Sequence, residues 1–215
     1  MLDHSVLRPE STEEAVKTAC KLARELEVAA VVVNPAHIPI VVADLRGSVV
    51  KACSVISFPF GLSTTEAKLA ETKHVIALGA EEIDVVMNFS ALRSGRQDYV
   101  SNEIRKITET AKDARRQVVV KVILETCYLT EPQKRESCLL AMRAGVDFVK
   151  TSTGFGSAGA TVEDVRLMRQ TVGPKMGVKA AGGIRTAEQA LQMVEAGANR
   201  IGTSSSSSIL QRVPP

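Results

Sequence analysis

The chain has few aromatic residues and little net charge. Phe and Tyr together make up 3% of its 215 residues, Trp is absent, and 27 basic residues against 24 acidic ones leave a formal charge of +3. No run of five or six basic residues occurs. Nucleic-acid-binding proteins usually combine a basic surface with aromatic side chains on which bases stack. The sequence therefore predicts no nucleic-acid partner and leaves small anionic substrates open.

Membrane, disulfide and metal patterns are also missing. The longest apolar runs are far shorter than a membrane span, so we expect no membrane association. The four cysteines lack CxxC spacing and the N-terminus lacks a secretory leader pattern, which together predict reduced thiols and a cytoplasmic protein. The three histidines form neither HxH nor HExxH, so we expect no metal, and no other cofactor is indicated.

What the chain does have is a regular alternation of strand-like and helix-like segments. Hydrophobic residues make up 45% of it, and several β-prone runs are apolar on both faces, as helix-covered parallel strands should be. The predicted strands are Leu2–Leu7, Ala29–Asn34, Val49–Phe58, Glu82–Asn88, Val118–Glu125, Val146–Thr151, Met176–Ala181 and Arg200–Thr203. No linker divides the chain. We predict a single α/β domain over residues 1–215, a (β/α)8 TIM barrel rather than an open doubly wound sheet.

Helix ends are marked at both sides. Several helical stretches end in Gly just before the next strand, which suits a left-handed residue after the last helical turn. Helix starts carry a Ser or Thr with Glu, Gln or Asp three residues later, the pattern of a capping box. These pairs are Ser11 with Glu14, Ser63 with Glu66, Thr130 with Gln133, Thr161 with Asp164 and Thr186 with Gln189.

Two lysines, Lys150 and Lys179, stand at the ends of predicted strands and are followed by small residues. Two neighbouring amines lower each other's pKa, and a neutral lysine is a nucleophile towards carbonyls. Active sites of such barrels lie at the carboxyl ends of the strands, so one pocket could hold both lysines above Asp84 and Lys121. The alternative is that one or two of these charges point outwards into salt bridges with helices.

Two glycine-containing loops near the C-terminus are typical of an anion site. Ala181–Arg185 precedes the predicted helix start at Thr186, and Gly202–Ser205 precedes a short terminal segment. Glycine lets backbone N–H groups approach an anion, and these barrels frequently bind phosphate after strands seven and eight. We predict a phosphate site here, the alternative being that the glycines only serve tight turns.

A third glycine-rich segment, Gly154–Gly159, matches the GxGxxG pattern of dinucleotide-binding folds. The predicted helix start at Thr161 lies beyond its last glycine, and the next strand ends at Lys179 instead of an acidic residue that could hold a ribose. We therefore predict a loop that closes over the substrate and no nicotinamide cofactor. A plain flexible connection is the alternative.

Eight ordered segments complete the sequence evidence. They are Leu2–Pro9, Val31–Pro35, Val55–Gly61, Glu82–Asn88, Lys121–Thr126, Phe148–Phe155, Val178–Arg185 and Arg200–Ser205. Together they resemble the deoxyribose-phosphate aldolases, class I enzymes with a TIM barrel. Departures from the family pattern include Ser206, where Gly is common, and the tail Val213–Pro215, which lacks the tyrosine that some members carry.

The resemblance implies a reaction: reversible cleavage of 2-deoxy-D-ribose 5-phosphate to acetaldehyde and D-glyceraldehyde 3-phosphate, in deoxyribonucleoside catabolism. Lys150 is the implied Schiff-base lysine, with Asp84 and Lys179 as the other catalytic residues. The implied substrate-binding residues are Lys121, Gly154, Gly182, Gly183, Arg185, Gly202, Ser204 and Ser205. A homodimer or homotetramer is expected by the same analogy.

Two other functions stay open at this point. Another barrel enzyme acting on a sugar phosphate, such as an isomerase or a transaldolase-like enzyme, would share the phosphate loops and differ in its products. A sugar-phosphate-binding protein without activity would be stabilised by its ligand but would not turn it over.

Overall fold

In the computed structural model, which describes residues 1–210, eight parallel strands close into one barrel in chain order. The strands are β1 Leu2–Val6, β2 Ala30–Val33, β3 Lys51–Ile56, β4 Glu82–Val86, β5 Val119–Ile123, β6 Phe148–Lys150, β7 Gly177–Ala181 and β8 Arg200–Thr203. Because β1 pairs with both β2 and β8, the sheet has no free edge. The predicted (β/α)8 fold is confirmed; β8 has its predicted bounds and the other strands are shorter than predicted.

Helices alternate with the strands. They are α1 Glu13–Glu25, α2 Ile38–Asp44, α3 Thr65–Ala77, α4 Phe89–Arg93, α5 Gln97–Ala114, α6 Glu131–Arg143, α7 Val162–Val172, α8 Ala187–Glu195 and α9 Ser206–Leu210. Single 3₁₀ turns follow β2 and β5, at Pro35–His37 and Thr126–Tyr128. The tail Val213–Pro215, singled out in the sequence, lies outside the described residues.

Three of the five predicted helix starts are confirmed. Thr130 and Thr186 each form a complete capping box with the Gln three residues later. Thr161 caps α7 by accepting a hydrogen bond from the backbone N–H of Asp164.

The starts of α1 and α3 lie one residue later than predicted. Thr12, not Ser11, accepts from the N–H of the third helical residue of α1, and Thr64, not Ser63, does so in α3. Each helix is preceded by two adjacent hydroxyl residues, and either could cap it by residue type alone. The path of the chain from the barrel decides which one has extended φ and ψ, as a cap requires.

The predicted glycine ends of α3, α6 and α8 are confirmed, since Gly79, Gly145 and Gly197 all have positive φ. Gly197 is the most restricted, with φ +111°, and a Cβ there would lie 2.6 Å from Cγ of Arg169. Any other residue at this position would be strained and would displace a neighbouring helix residue.

Apolar side chains fill the layer between strands and helices, whereas the barrel interior is divided. On β2 and β3, Ala30, Val32, Cys53 and Val55 form a small apolar cluster of their own, separate from the main core. Charged side chains occupy the interior elsewhere and are almost completely buried. Buried charges must be paired to be tolerated, so this arrangement marks the interior as the place to look for a site.

Candidate active site

A cavity of about 160 Å³ opens at the carboxyl ends of the strands. Most of the residues predicted to form the site line it: Gly154, Gly182, Gly183, Arg185, Gly202, Ser204, Lys150 and Lys179. Asp84, Lys121 and Ser205 are not among the lining residues. Asp84 and Lys121 are fully buried beneath the cavity, as expected for positions within strands.

Strand register brings the four predicted charged residues together. Asp84 on β4 lies opposite Lys121 on β5, and Lys150 on β6 lies opposite Lys179 on β7. Residues side by side on parallel strands point to the same face of a sheet, here the barrel interior. The alternative that one or two of them face the helices is therefore wrong.

Asp84 is the hub of this arrangement. Its Oδ2 accepts hydrogen bonds from Nζ of Lys150 and from Nζ of Lys179, both at 2.7 Å. Its Oδ1 accepts one from Nζ of Lys121 at 2.9 Å. One carboxylate thus contacts three lysines, which binds two potential catalytic amines to the same oxygen.

Three further charged residues belong to the network but were given no role in the sequence interpretation. Asp3 contacts Nζ of Lys179 at 2.5 Å and Arg200 at 2.7 Å. Glu82 contacts Nζ of Lys121 at 2.5 Å and Arg200 at 3.3 Å. We call the whole set the charge cluster: Asp3, Glu82, Asp84, Lys121, Lys150, Lys179 and Arg200.

One signal for these residues was available in the sequence. Glu82 precedes Asp84 by two positions, so the alternation of a strand puts both on one face. Asp3 and Arg200 lie at the starts of β1 and β8, but no local pattern distinguishes inward from outward for them.

The environment of Asp84 keeps it ionised. Burial alone would raise the pKa of its carboxyl, but the charges of Lys121, Lys150 and Lys179 outweigh burial and hold the pKa well below its usual range. Asp3 follows the same logic, with a pKa lowered by its cationic neighbours in spite of burial. Both carboxylates are therefore fixed negative charges at neutral pH.

The lysines divide into two kinds. Burial lowers the pKa of Lys150, the single hydrogen bond to Asp84 does not offset it, and the charge of Lys179 lowers it further. Burial acts equally on Lys179, but Asp3 and Asp84 outweigh it and raise its pKa. The pKa of Lys121 is likewise raised, because its carboxylate neighbours outweigh burial. Lys150 is thus the amine of the charge cluster that most readily loses its proton.

The opposite side of the cavity holds the two glycine loops. Gly182 and Gly183 both have positive φ, +90° and +81°, which turns the chain tightly after β7. The hydroxyl of Thr203 donates to the carbonyl of Ile184 at 2.7 Å and so ties the end of β8 to this turn. Within residues 1–210, the backbone N–H groups of Gly183 and Ser204 donate to no protein acceptor. They remain available to an anion in the cavity.

The GxGxxG segment forms the loop between β6 and α7 and packs on this turn. The N–H of Ala160 donates to the carbonyl of Gly182, and a Cβ at Gly159 would lie 2.1 Å from that oxygen. The glycine thus permits loop-to-loop contact beside the cavity, and α7 begins only after Thr161, as predicted.

Two aromatic residues complete the mouth and were not predicted. Phe155, in the β6–α7 loop, lines the cavity and packs edge-on against Phe58 with ring centroids 5.3 Å apart. Phe58 packs in turn on the apolar cluster of β2 and β3. The cavity therefore has a polar, glycine-lined side and an apolar side.

Glu125 anchors the start of the same loop. It follows β5 with a left-handed backbone, φ +56°, and its carboxylate accepts hydrogen bonds from the backbone N–H and the hydroxyl of Thr153. Burial raises the pKa of Glu125, although these hydrogen bonds oppose the shift. A non-glycine residue in this conformation is uncommon and reports a locally constrained turn.

Residues 1–210 contain neither a candidate metal site nor a candidate membrane span. No group of three His, Cys, Asp or Glu side chains there is placed to hold a metal ion. No helix among them is both long and apolar enough to cross a membrane.

The chain is similar to aldolases along almost its whole length. The model of the DeoC/LacD family aldolases matches residues 1–211. A deoxyribose-phosphate aldolase of Thermococcus kodakarensis is 52% identical over 99% of this chain and 95% of its own length. One from Caldanaerobacter subterraneus subsp. tengcongensis is 49% identical over 98% of this chain and 91% of its own.

Solved structures agree with the sequence relatives. The deoxyribose phosphate aldolase of Aeropyrum pernix, described as a tetramer, superposes with a TM-score of 0.91 at 36% identity. The match covers 98% of this chain and 88% of that one. At this identity and coverage the likeness extends beyond the barrel fold to the family.

Proposed function

Because the chain belongs to the DeoC/LacD family of aldolases, we propose that it reversibly cleaves 2-deoxy-D-ribose 5-phosphate to acetaldehyde and D-glyceraldehyde 3-phosphate, a step of deoxyribonucleoside catabolism. The observation that carries the proposal is the position of Lys150. Lys150 lines the cavity, and its Nζ donates at 2.7 Å to the same oxygen of Asp84 that accepts from Lys179. A buried amine with a lowered pKa and access to a cavity is suited to attack a carbonyl.

The first step is imine formation. The neutral amine of Lys150 attacks the C1 aldehyde of the open-chain sugar, and the carbinolamine loses water to give a protonated imine. Lys179 lines the cavity and keeps its proton because its pKa is raised. It is therefore placed to donate the proton that the departing hydroxide needs.

The second step breaks the C2–C3 bond. Lys179, neutral after the first step, takes the proton of the C3 hydroxyl. The C3 oxygen forms a carbonyl, and the electrons of the C2–C3 bond move into the iminium to give an enamine. D-Glyceraldehyde 3-phosphate leaves. Protonation of the enamine carbon and hydrolysis of the imine then release acetaldehyde and restore the amine of Lys150.

Proton transfer to the substrate runs through Lys179 in this proposal, with Asp84 behind it. Asp84 is fully buried, does not line the cavity and has a pKa held well below its usual range. Its charge holds Lys179 in place and supports the cationic imine. Lys121, equally buried, offsets the charge of Asp84 at 2.9 Å.

The phosphate of the substrate is proposed to bind between the two glycine loops. Gly183, Arg185 and Ser204 line that side of the cavity, and they would offer the phosphate two backbone N–H groups and a guanidinium. Gly154, Gly182 and Gly202 let the backbone approach closely. Remote phosphate binding of this kind would align the aldehyde carbon with Lys150 and so contribute to catalysis. Ser205 would join only if the loop rearranged, because it lies outside the cavity lining.

Trapping with borohydride tests the proposal directly. The protein is incubated with 2-deoxyribose 5-phosphate and sodium borohydride, digested, and its peptides are mapped by mass spectrometry. We expect one reduced adduct, on Lys150, and acetaldehyde as product in an untrapped sample. A folded protein that forms no adduct on any lysine would not be a class I aldolase, and an adduct without acetaldehyde would indicate a different sugar-phosphate enzyme.

We also propose that the protein is a homodimer or homotetramer. The support is the solved relative from Aeropyrum pernix, which is described as a tetramer. Light scattering coupled to size-exclusion chromatography gives the mass in solution. A mass equal to one 23.0 kDa chain would contradict this part of the proposal.

A further inference from the structure

The charge cluster is unbalanced when all its basic groups are protonated. It contains three carboxylates, on Asp3, Glu82 and Asp84, and four basic side chains, Lys121, Lys150, Lys179 and Arg200. An uncompensated buried charge is costly, so one basic group is favoured to be neutral. Arginine does not lose its proton in proteins, so that group must be a lysine.

The number of carboxylate partners distinguishes the three lysines. Lys121 lies within 4 Å of three carboxylates of the cluster, and Lys179 within 4 Å of two. Lys150 has a single carboxylate partner among the described residues, Asp84 at 2.7 Å. Neutralising Lys150 therefore sacrifices the fewest ion pairs.

Asp3 is the residue that makes Lys179 different from Lys150. Both lysines bond to the same oxygen of Asp84 at the same distance, 2.7 Å. Lys179 has a second carboxylate at 2.5 Å, supplied by Asp3 from β1. Without Asp3 the two amines would each have one carboxylate partner in the cluster, Asp84.

Arg200 determines the number of positive charges in the cluster. From β8 it bridges Asp3 at 2.7 Å and Glu82 at 3.3 Å, and it is the fourth cation, the one that leaves the cluster with a base in excess. Neither Asp3 nor Arg200 lines the cavity. Any effect of either residue on the reaction must therefore pass through the lysines.

Two other titratable groups inside the barrel do not change the number of charges in the cluster, and Arg8 and Arg185 line the cavity without an ion pair to the cluster among the described residues. Cys53, on β3, contacts Asp84 and Lys121, and burial raises the pKa of its thiol, so it stays neutral. Glu125 lies near Lys150 but bonds to Thr153 and forms no ion pair with the cluster. Neither Cys53 nor Glu125 is changed in the variants that test the proposal.

We propose that Asp3 and Arg200 are positioning residues that select Lys150 over Lys179 as the nucleophile by setting the number of opposite charges around the two lysines. This rests on the proposed function, in which a neutral lysine of the cluster forms the imine. The proposal adds two residues that do not contact substrate and assigns each a distinct and opposite effect.

Removal of the Asp3 charge should make the two lysines compete. In Asp3→Asn two carboxylates remain, and Arg200 with Lys121 balances them. Lys150 and Lys179 are then both partly neutral. Trapping with acetaldehyde and borohydride should give adducts on both lysines, instead of on Lys150 alone.

Removal of the Arg200 charge should protonate the nucleophile. In Arg200→Gln three carboxylates face three lysines, so Lys150 gains its proton. The adduct should stay on Lys150, but the pH midpoint of its formation should rise by roughly 1 unit or more, the size of effect that a neighbouring charge has on a pKa. Arg200→Lys keeps the charge and should leave the midpoint unchanged.

The double variant, Asp3→Asn with Arg200→Gln, separates charge selection from mere structural damage. It loses one charge of each sign, so two carboxylates face three lysines and one lysine is neutral, as in the unchanged protein. Because Asp84 is then the one carboxylate partner of both Lys150 and Lys179, we expect adducts on both lysines, as in Asp3→Asn, and a pH midpoint below that of Arg200→Gln and close to that of the unchanged protein. If the two residues only stabilised the fold, the double variant would be less stable and would form less adduct than either single variant.

Circular dichroism and thermal unfolding establish that each variant is folded, and Arg105→Gln, which removes an exposed cation paired with Glu109, is the matched surface control. If Asp3→Asn does not fold, the comparison of Arg200→Gln with Arg200→Lys still decides the matter. An unchanged midpoint in Arg200→Gln, or an adduct confined to Lys150 in a folded Asp3→Asn, would overturn this inference alone. Failure of the unchanged protein to form any adduct would instead overturn the proposed function.

Discussion

The molecule buries lysines in two different settings, one outside the barrel wall and one inside it. Lys68, on α3, is fully buried against the outer side of β4, where its Nζ contacts Glu103 and the carbonyl of Val86, both at 2.9 Å. Lys150, inside the barrel, is nearly as buried and contacts Asp84 at 2.7 Å. Burial is the leading cause that lowers the pKa of both amines.

Lys68 and Lys150 differ in their ion-pair partners and in whether a substrate can reach them. Among the described residues, Lys68 is the only cation that forms an ion pair with Glu103. The same carboxylate accepts a hydrogen bond from the N–H of Asn88, so the ion pair stabilises the chain at the end of β4. Lys150 shares its carboxylate with Lys179 and faces a cavity. A lowered pKa alone therefore does not mark a nucleophile; a shared counter-charge and an opening to substrate are needed as well.

The largest effect is expected when the inner lysine, Lys150, is removed. Lys150→Ala should abolish both the borohydride adduct and aldol cleavage, because no other lysine of the cluster combines a lowered pKa with access to the cavity. Lys68→Met, assayed at a temperature where it is folded, should still form the adduct on Lys150. Peptide mapping of both variants provides the measurement, and an adduct persisting in Lys150→Ala would move the nucleophile elsewhere.

The second largest effect on activity is expected for Asp84→Asn. We expect turnover to fall by ~10²–10⁴, the usual loss when a group of a proton-transfer pair is removed. Steady-state kinetics with 2-deoxyribose 5-phosphate measure this, and Cys53→Ala, which removes a neutral neighbour of Asp84, serves as a control. A rate close to normal would leave Asp84 a structural role only.

The outer lysine should act on stability and not on chemistry. Glu103→Gln leaves Lys68 buried without its counter-charge and should lower the free energy of unfolding by roughly 3–5 kcal/mol. Lys68→Met combined with Glu103→Leu should recover much of that loss, since an apolar pair of similar volume often replaces a buried ion pair at little cost. Urea unfolding measures both, and the pH midpoint of adduct formation should not move in either.

Acid should lower the stability of the protein by protonating Asp84 inside the barrel. The folded pKa of Asp84 lies well below the usual range of an aspartate. Its ionisation therefore stabilises the fold at pH values above that range, and the contribution is lost as the pH falls through the folded pKa. Urea unfolding between about pH 5 and pH 2 should therefore show a decline that Asp84→Asn flattens. Parallel curves for the two proteins would show that Asp84 does not contribute to the acid sensitivity.

The smallest effect is expected at the phosphate side. Ser204→Ala removes the hydroxyl of a residue that lines the cavity and keeps its backbone N–H. We expect KM for 2-deoxyribose 5-phosphate to rise about fivefold, consistent with loss of one hydroxyl hydrogen bond worth roughly 1 kcal/mol, and kcat to stay nearly unchanged. KM for unphosphorylated 2-deoxyribose should not change. If both substrates were affected equally, Ser204 would not be a phosphate ligand.

Much of this molecule could be predicted from its sequence, because the relevant signals are local. The apolar runs, the glycines after helices and the capping boxes at Thr130 and Thr186 each depend on a few neighbouring residues, and together they indicate a closed barrel. A closed barrel brings inward-facing strand residues together, so Lys150 and Lys179 could be expected to meet above Asp84 before any distance was known.

Tertiary structure decided what local patterns leave open. It chose Thr12 over Ser11 as a helix cap, and it paired Lys68 with Glu103 across two helices. It also brought Asp3 and Arg200, 197 residues apart, to 2.7 Å, which settles the charge count around the two inner lysines. Alternation along a strand says which face a side chain takes. Which of several like charges lies within 4 Å of a given lysine depends on how the barrel closes between β1 and β8, and no local pattern encodes that.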